Sequence, residues 1–336
     1  VINIRNGRLR LGQFGVGPIG AESIRLAASK PWAKVVGAVD IDPAMIGRSL
    51  GDLTGLAELD DCLVYGSFEE LWEARQPEAV LHTAGSNAEL SIHEIEPMAR
   101  HGLAVASSCE QLLYPQLRAA ESSQRLDALC RQMGARVVGT GVNPGFVMDV
   151  LPVCLSGVTS NVQRVYVERV VNASSRRLPL QKKIGSGMDP QEFRQRFSDG
   201  QAGHAGFRES AALIAYCLRW PIDEIIETCE PVVAQRNIAT QYFDVPKGMT
   251  CGIHQRVTVI SEGVERIELD LKMYLDAEDP HDMVRIEGEP PIEVSVKGGV
   301  AGDQATVAAL VNSLPRLLRS PPGLLLMSDL PLPSWA

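Results

Sequence analysis

Four groups of residues in this 336-residue chain have the types and spacing to do chemistry. The first is Gly15-x-Gly17-x-x-Gly20, which follows the alternating stretch RLRLGQF at 8–14. In such a loop Gly15 permits a tight turn, Gly17 lets the main chain approach a pyrophosphate, and Gly20 lets the next helix pack closely on the strand. Phosphate would then sit on the exposed N–H groups of a helix start built by Gly15, Val16, Gly17, Pro18, Ile19 and Gly20, Pro18 having no N–H of its own. The second is Asp40, twenty residues beyond the last glycine. A carboxylate there accepts from a ribose 2′-OH and repels a 2′-phosphate, which favours NAD. Arg48 stands close enough in sequence to offset that charge, so NADP stays open.

The third group is Ser107-Ser108-Cys109-Glu110-Gln111. Glu110 can bind an ammonium or take a proton from an amine. It can equally be a solvated glutamate at a helix start, where the dipole favours acids. Cys109 offers a rival chemistry, in which a thiolate attacks an aldehyde and hydride passes to a nicotinamide. Such a thiol needs a low pKa, and an adjacent glutamate works against that. The fourth group is Thr140 to Phe146, with Asn143-Pro144-Gly145 at its centre. Thr83-Ala84-Gly85-Ser86-Asn87 adds small residues that would let a nicotinamide ribose approach the backbone, and His204 sits in a glycine-rich loop that could touch substrate.

The elements that must position these residues can be read from the pattern. Short Val- and Ala-rich strands are expected at 8–14, 34–40, 62–65, 79–83, 103–107 and 136–140, with helices near 19–29, 67–75, 88–101 and 115–133. Ser67 followed by Glu70 is a capping-box start. The alternation predicts a doubly wound parallel sheet with helices on both faces, and ligands then bind beyond the carboxyl ends of the strands. All four groups lie at such ends. After Pro144-Gly145 the texture changes to a helix near 146–157, a strand at 161–173, helices around 189–197 and 206–219, and an alternating, antiparallel-looking run from 252 to 298. A closing helix from Asp303, with Asp303 as its cap, is expected to return to the first domain. The expected division is a dinucleotide-binding domain over 1–142, completed by 303–336, and an α+β substrate domain over 143–302.

Composition bounds the function. The net charge is −9 with no basic run, which argues against a nucleic-acid partner. Seven scattered cysteines form no C-x-x-C pair and no zinc spacing, so no metal site is expected and a reducing compartment is. No apolar run reaches about eighteen residues and the start lacks a signal core, so a cytoplasmic, non-membrane location is expected. No H-E-x-x-H, G-x-S-x-G or Walker lysine is present.

Several segments together resemble a known family. Gly139-Thr140-Gly141-Val142-Asn143-Pro144-Gly145-Phe146-Val147-Met148-Asp149 is similar to the signature of the 2,4-diaminopentanoate dehydrogenase family. That family includes NAD(P)-dependent amine dehydrogenases and belongs to the dihydrodipicolinate-reductase-like superfamily. Val39 to Pro43, Ser107 to Glu110, Gly298 to Asp303 with Ala305-Thr306-Val307, and Pro322-Gly323-Leu324 with Asp329-Leu330-Pro331 match in the same order. The resemblance implies an α/β Rossmann domain, a substrate domain with an open mixed sheet, and a homodimer. It implies reversible oxidative deamination of a primary amine to a ketone or aldehyde plus ammonia, with hydride passing to nicotinamide C4. Glu110 takes the family's ammonia-binding acid/base position. Gly15 to Gly20, Asp40, Thr83, Ala84, Gly85, Ser107 and Asn143 fall on the cofactor side, and Asn143, Pro144, Gly145 and Phe146 line the substrate cavity. The His-His pair and Lys…Pro-Ser-Gly-Thr motif of dihydrodipicolinate reductase itself are absent.

The amine stays open at this point. Arg176, Arg177, Lys182 and Lys183 could supply a cation for a diamino acid's carboxylate; a pocket of Phe146 and aliphatic neighbours favours simple amines. A diamino-acid dehydrogenase, another C=N reductase and a non-catalytic dinucleotide sensor are the competing readings.

Overall fold

The computed structural model describes residues 7–336, so the first six residues of the expected dinucleotide domain lie outside the described residues. Chain contacts divide the molecule into two compact units, one over 1–145 and 301–336, the other over 146–300.

The first unit alternates strand and helix: β1 (Leu9–Phe14), α1 (Pro18–Ala28), β2 (Ala33–Val39), α2 (Leu50–Thr54), β3 (Val64–Tyr65), α3 (Phe68–Arg75), β4 (Ala79–His82), α4 (Ala88–Arg100), β5 (Ala104–Ser107), α5 (Ala120–Met133) and β6 (Arg136–Gly139). Strands β4 and β5 are buried at every position, which explains their unbroken small apolar runs. Ser67 caps α3, its hydroxyl accepting from the Glu70 N–H at 3.2 Å. The reciprocal Glu70 carboxylate reaches Gly66 N–H rather than that of the cap itself. The helix expected from 115 begins only at Ala120. Two short 3-10 turns, Glu110–Leu113 and Pro115–Leu117, come first and bury Leu112, Leu113 and Pro115. Burial of those side chains overrides the helical spacing.

The second unit contains α6 (Val150–Ser156), β7 (Val162–Asn172), α7 (Leu178–Lys183), α8 (Pro190–Ser198), α9 (Phe207–Leu218), β8 (Glu224–Val233), β9 (Ile238–Ala239), β10 (Asp244–Val245), β11 (Thr250–Ser261), β12 (Val264–Tyr274), β13 (His281–Gly288) and β14 (Ile292–Lys297). The chain then re-enters the first unit as α10 (Gly302–Leu317) and β15 (Gly323–Leu325). Helix α10 starts after Ala301, so Asp303 lies in its first turn and is not its cap.

The strand order in the first unit is β15-β6-β5-β4-β1-β2-β3, and every pairing is parallel. This is a Rossmann sheet with one extra edge strand from the tail. In the second unit the order is β14-β13-β7-β12-β11-β8. The expected antiparallel run is in fact part of a mixed sheet. Strand β7 inserts between β12 and β13 and pairs parallel with β12. Edge strand β8, with Pro231 and alternating acids, escaped the sequence reading because an edge strand need not be apolar.

Beneath the second sheet lies a buried ion pair. Arg169 on β7 donates to Asp282 on β13 at 2.6 Å, and each side chain is no more than 3% exposed. The same guanidinium donates to Val300 O at 2.7 Å, and Val300 N–H donates to Asp282 at 2.7 Å. Removing one partner leaves an uncompensated buried charge. Asp282→Ala should therefore lose about 3–5 kcal/mol of unfolding free energy in denaturant titration, far more than removal of an exposed pair such as Arg285–Glu293.

Candidate active site

Five parallel strands of the first unit end level. Val39 pairs with Phe14, Phe14 with His82, His82 with Ser107, and Ser107 with Gly139. One residue further, Gly15 N–H donates to Val39 O, Thr83 N–H to Phe14 O, Ser108 N–H to His82 O and Thr140 N–H to Ser107 O, all within 2.8–2.9 Å. Asp40, Gly15, Thr83, Ser108 and Thr140 thus leave the sheet along one edge. The strand order reverses between β1 and β4, so that edge contains the switch-point crevice where such folds bind ligands.

The glycine loop has a built shape. Gly15 adopts φ +85°, and a side chain there would meet Thr83 O at 2.9 Å. A Cβ on Gly20 would stand 2.0 Å from Gly15 O. Gly17 differs: its φ is −63°, it is exposed, and a Cβ there would touch no atom of the protein. Two glycines are needed for packing, while the third leaves open space at the start of α1. No acid occupies the first turn of that helix. Space and charge therefore both suit a pyrophosphate. Thr83 supports the loop from beneath, its hydroxyl donating to Gly15 O at 2.9 Å and accepting from the buried Gln13 amide at 2.9 Å. Ala84 and Gly85 are exposed beside it.

Asp40 joins the loop to β2. Its carboxylate accepts from Val16 N–H at 2.7 Å and from Asp42 N–H at 3.0 Å. Each oxygen keeps a lone pair, so the acid can still accept from a ribose hydroxyl.

Glu110 is the first residue of the 3-10 turn after β5 and is half-buried. Its neighbours are clamped. Ser107 Oγ accepts from Cys109 N–H at 3.1 Å, and Gln111 Oε1 accepts from Ala88 N–H at the start of α4 at 2.9 Å. The turn lies so close to β6 that a Cβ on Gly139 would stand 2.4 Å from the Leu112 carbonyl carbon. Cys109 is buried, and burial pushes its thiol up to about 11, outweighing the opposite pull of hydrogen bonding with Ser91. It is a protonated core side chain at neutral pH, which argues against thiolate chemistry. Ser107 is fully buried, and its hydroxyl is engaged inside the unit.

The segment after β6 folds back on itself. Gly145 adopts φ +123°, and a Cβ there would stand 2.2 Å from Gly141 N. This places Asn143, Pro144 and Gly145 in a compact loop just beyond Thr140, with a cis Asn143–Pro144 bond. Phe146 and His204 belong to the second unit. His204 N–H donates to Gln255 Oε1 at 2.7 Å, Gln255 Nε2 donates to His204 O at 3.0 Å, and the ring packs edge-on to Phe207.

Sequence reading missed Gln13, Ser91 and Glu94, and gave His82 no partner. None carries a motif; only the strand register and the placement of α4 bring them under the edge. A cavity of about 390 Å³ also opens at the opposite end of β1 and β2, among Arg8, Arg10, Lys34 and Arg75. Its guanidinium groups donate to main-chain carbonyls, Arg8 to Ala33, Arg10 to Gln76 and Arg75 to Asp61. It is not the ligand edge of the sheet.

Comparisons with known proteins agree with this geometry. Residues 146–336 match the family model described as the 2,4-diaminopentanoate dehydrogenase C-terminal domain. The chain is 28% identical to 2,4-diaminopentanoate dehydrogenase of Acetoanaerobium sticklandii, over 95% of this chain and 92% of the relative. It is 25% identical to an amine dehydrogenase of Streptomyces virginiae, over 95% of both. The solved amine dehydrogenase of Mycobacterium smegmatis superposes with a TM-score of 0.86 at 23% identity, covering 98% of each chain.

Two measurements follow from the loop and the thiol. Gly17→Ala should leave the melting temperature unchanged within about 2 °C while weakening NAD(P)H binding about tenfold or more; Gly20→Ala should lower both, because it clashes with the loop itself. In native protein at pH 7, iodoacetamide should leave Cys109 unmodified, and mass mapping should find it alkylated only after denaturation.

Proposed function

Because the chain belongs to the 2,4-diaminopentanoate dehydrogenase family, we propose that it is an NAD(P)-dependent amine dehydrogenase. It interconverts a primary amine with a ketone or aldehyde plus ammonia. The observation that carries the reading is Glu110, held in a clamped turn at the strand edge that also bears the glycine loop. Bound NAD(P) would supply the hydride carrier. Gly15 to Gly20 would hold its pyrophosphate. Asp40 would take the adenosine ribose, with a preference for NAD over NADP, since a 2′-phosphate would face its carboxylate. Thr83, Ala84, Gly85, Ser107 and Asn143 would shape the nicotinamide end, Thr83 and Ser107 through the main chain because their hydroxyls are bonded inward.

The chemistry asked of the protein is that of one carboxylate. In the aminating direction Glu110 binds ammonium by a charge-assisted bond and takes its proton, releasing ammonia for attack on the carbonyl. It then returns a proton to the departing hydroxyl oxygen of the carbinolamine. The iminium so formed is cationic, and the same carboxylate stabilises it. In the deaminating direction Glu110 serves as base for the water that adds to the iminium. Asn143, Pro144 and Gly145 of the first unit are proposed to bound the substrate; Phe146 and His204 are the candidates carried by the second unit.

In this reading residues 1–142 with 303–336 form the cofactor domain. Residues 143–302 form the substrate and dimerisation domain of a homodimer. A cytoplasmic location is supported by seven free cysteines, as a reducing compartment leaves them. No helix among the described residues is long and apolar enough to cross a membrane.

A panel of aliphatic ketones and aldehydes with ammonia, and 2,4-diaminopentanoate in the oxidative direction, should be assayed separately with each nicotinamide cofactor. Ammonia-dependent NAD(P)H oxidation is expected. Glu110→Ala should lower kcat/KM at least a hundredfold while the NAD(P)H Kd stays within about threefold. Full activity in that variant would remove Glu110 from the mechanism.

A further inference from the structure

Beneath the edge that carries Glu110 runs a chain of polar groups that the proposed reaction does not itself use. His82 ends β4 and is fully buried. One ring nitrogen, Nε2, lies 3.0 Å from a carboxylate oxygen of Glu94 on α4; the other, Nδ1, lies 2.9 Å from Ser107 Oγ. Ser107 Oγ in turn accepts from Cys109 N–H at 3.1 Å. The ring also stacks on Phe14, the last residue before the glycine loop, with centroids 5.2 Å apart.

With a neutral His82 ring, the donor and acceptor inventory satisfies every member of this chain. The Glu94 carboxylate accepts only, so His82 Nε2–H donates to it. In the neutral ring Nδ1 is then the acceptor, and the Ser107 O–H donates to it. That leaves the Ser107 oxygen free to accept from Cys109 N–H. Each hydrogen position is assigned from its partners, and no group in the chain is left over. A buried set that is fully satisfied holds its members rigidly. The last link is the main chain one residue before Glu110.

We propose that Glu94, His82 and Ser107 are positioning residues for Glu110. They fix the main chain at Cys109 and thereby the point from which the Glu110 side chain projects. The inference rests on the reading of Glu110 as the ammonia-binding group. Glu94 is the only member with appreciable exposure, its side chain being 30% exposed. It anchors the chain to α4, whose Ser91 hydrogen-bonds Cys109 and whose Ala88 N–H donates to Gln111. One helix thus holds residues 107, 109 and 111, on either side of Glu110. A misplacement of about 1 Å in a reacting group costs up to about a hundredfold in rate, so loosening this turn has a kinetic signature.

The test compares His82→Leu, which keeps bulk but removes both bonds, with His82→Gln, whose amide retains one donor and one acceptor. Ser107→Ala tests the same step with a smaller change if His82→Leu does not fold. Two quantities are read. Amide hydrogen exchange across 109–113 should accelerate about tenfold or more in His82→Leu or Ser107→Ala, with exchange in β1 and α1 unchanged. The KM for ammonia should rise about tenfold with the NAD(P)H Kd within twofold, and His82→Gln should recover most of both effects. Unchanged exchange over 109–113 overturns the proposal, as does a loss of cofactor affinity equal to the loss for ammonia. Faster exchange together with full activity of Glu110→Ala would instead sink the role of Glu110 and leave the chain as the support of the turn.

Discussion

The whole edge depends on register. Parallel pairing puts Val39, Phe14, His82, Ser107 and Gly139 in one row across five strands. Side chains alternate between faces along a strand, so a one-residue slip of β4 would send the His82 ring to the opposite face and break its bonds to Ser107 and Glu94. The same slip would move Thr83 away from the glycine loop, where its hydroxyl holds Gly15 O. The glycine loop, Asp40 and Glu110 lie on loops far apart in sequence. They share an edge only because the strands below them end together.

How far the sequence discloses this follows from the range of the interactions concerned. The glycine loop is legible because its constraint is nearly local: Gly20 must be small because of Gly15, five residues away. The buried strands are legible because burial on both faces writes an unbroken apolar run. Glu110 can be located but not assigned, since an acid at a turn start serves solvent as readily as substrate. His82 can be placed at a strand end but not paired, and Glu94 and Ser91 are invisible to pattern reading. Their meaning comes from α4 lying against the end of β5, and neither spacing nor composition encodes that placement. Strand β15 is three residues long and carries no period; β8 carries acids and a proline because it is an edge. The family signature 139–149 adds what periodicity cannot, and the structure gives part of its physical reason: Gly141 and Gly145 must both be small because the loop closes on itself.

The second unit solves a related problem at its own two ends. Shortly after the chain enters it, buried Asp149 accepts from Val150 N–H and from the Ser210 hydroxyl, each at 2.7 Å. Val300, where the chain leaves it, donates its N–H to buried Asp282, which also holds Arg169. Burying a carboxylate is unfavourable unless its lone pairs are met, and here each acid has one donor far away in sequence, Ser210 for Asp149 and Arg169 for Asp282. Each acid therefore works as a fastener for a segment that would otherwise fray. The ends of the unit are fixed within the unit, one of them by an ion pair between β7 and β13 of the mixed sheet, whose strands also carry the charged residues Glu168, Lys272 and His281.

Cys109 and Glu110 show how little sequence adjacency says about chemical fate. They are consecutive, both reactive in type, and both at the end of a strand beside the ligand edge. Main-chain geometry separates them. Cys109 caps the turn with its side chain in the core, where burial keeps the thiol protonated. Glu110 opens the turn half-buried, so its side chain is partly shielded from water. Charge-assisted binding is strongest under that partial shielding, because full exposure screens the charge and full burial costs its desolvation. A thiol mechanism would need the two environments exchanged. The clamp formed by Ser107, Ser91 and Gln111 keeps the two environments apart.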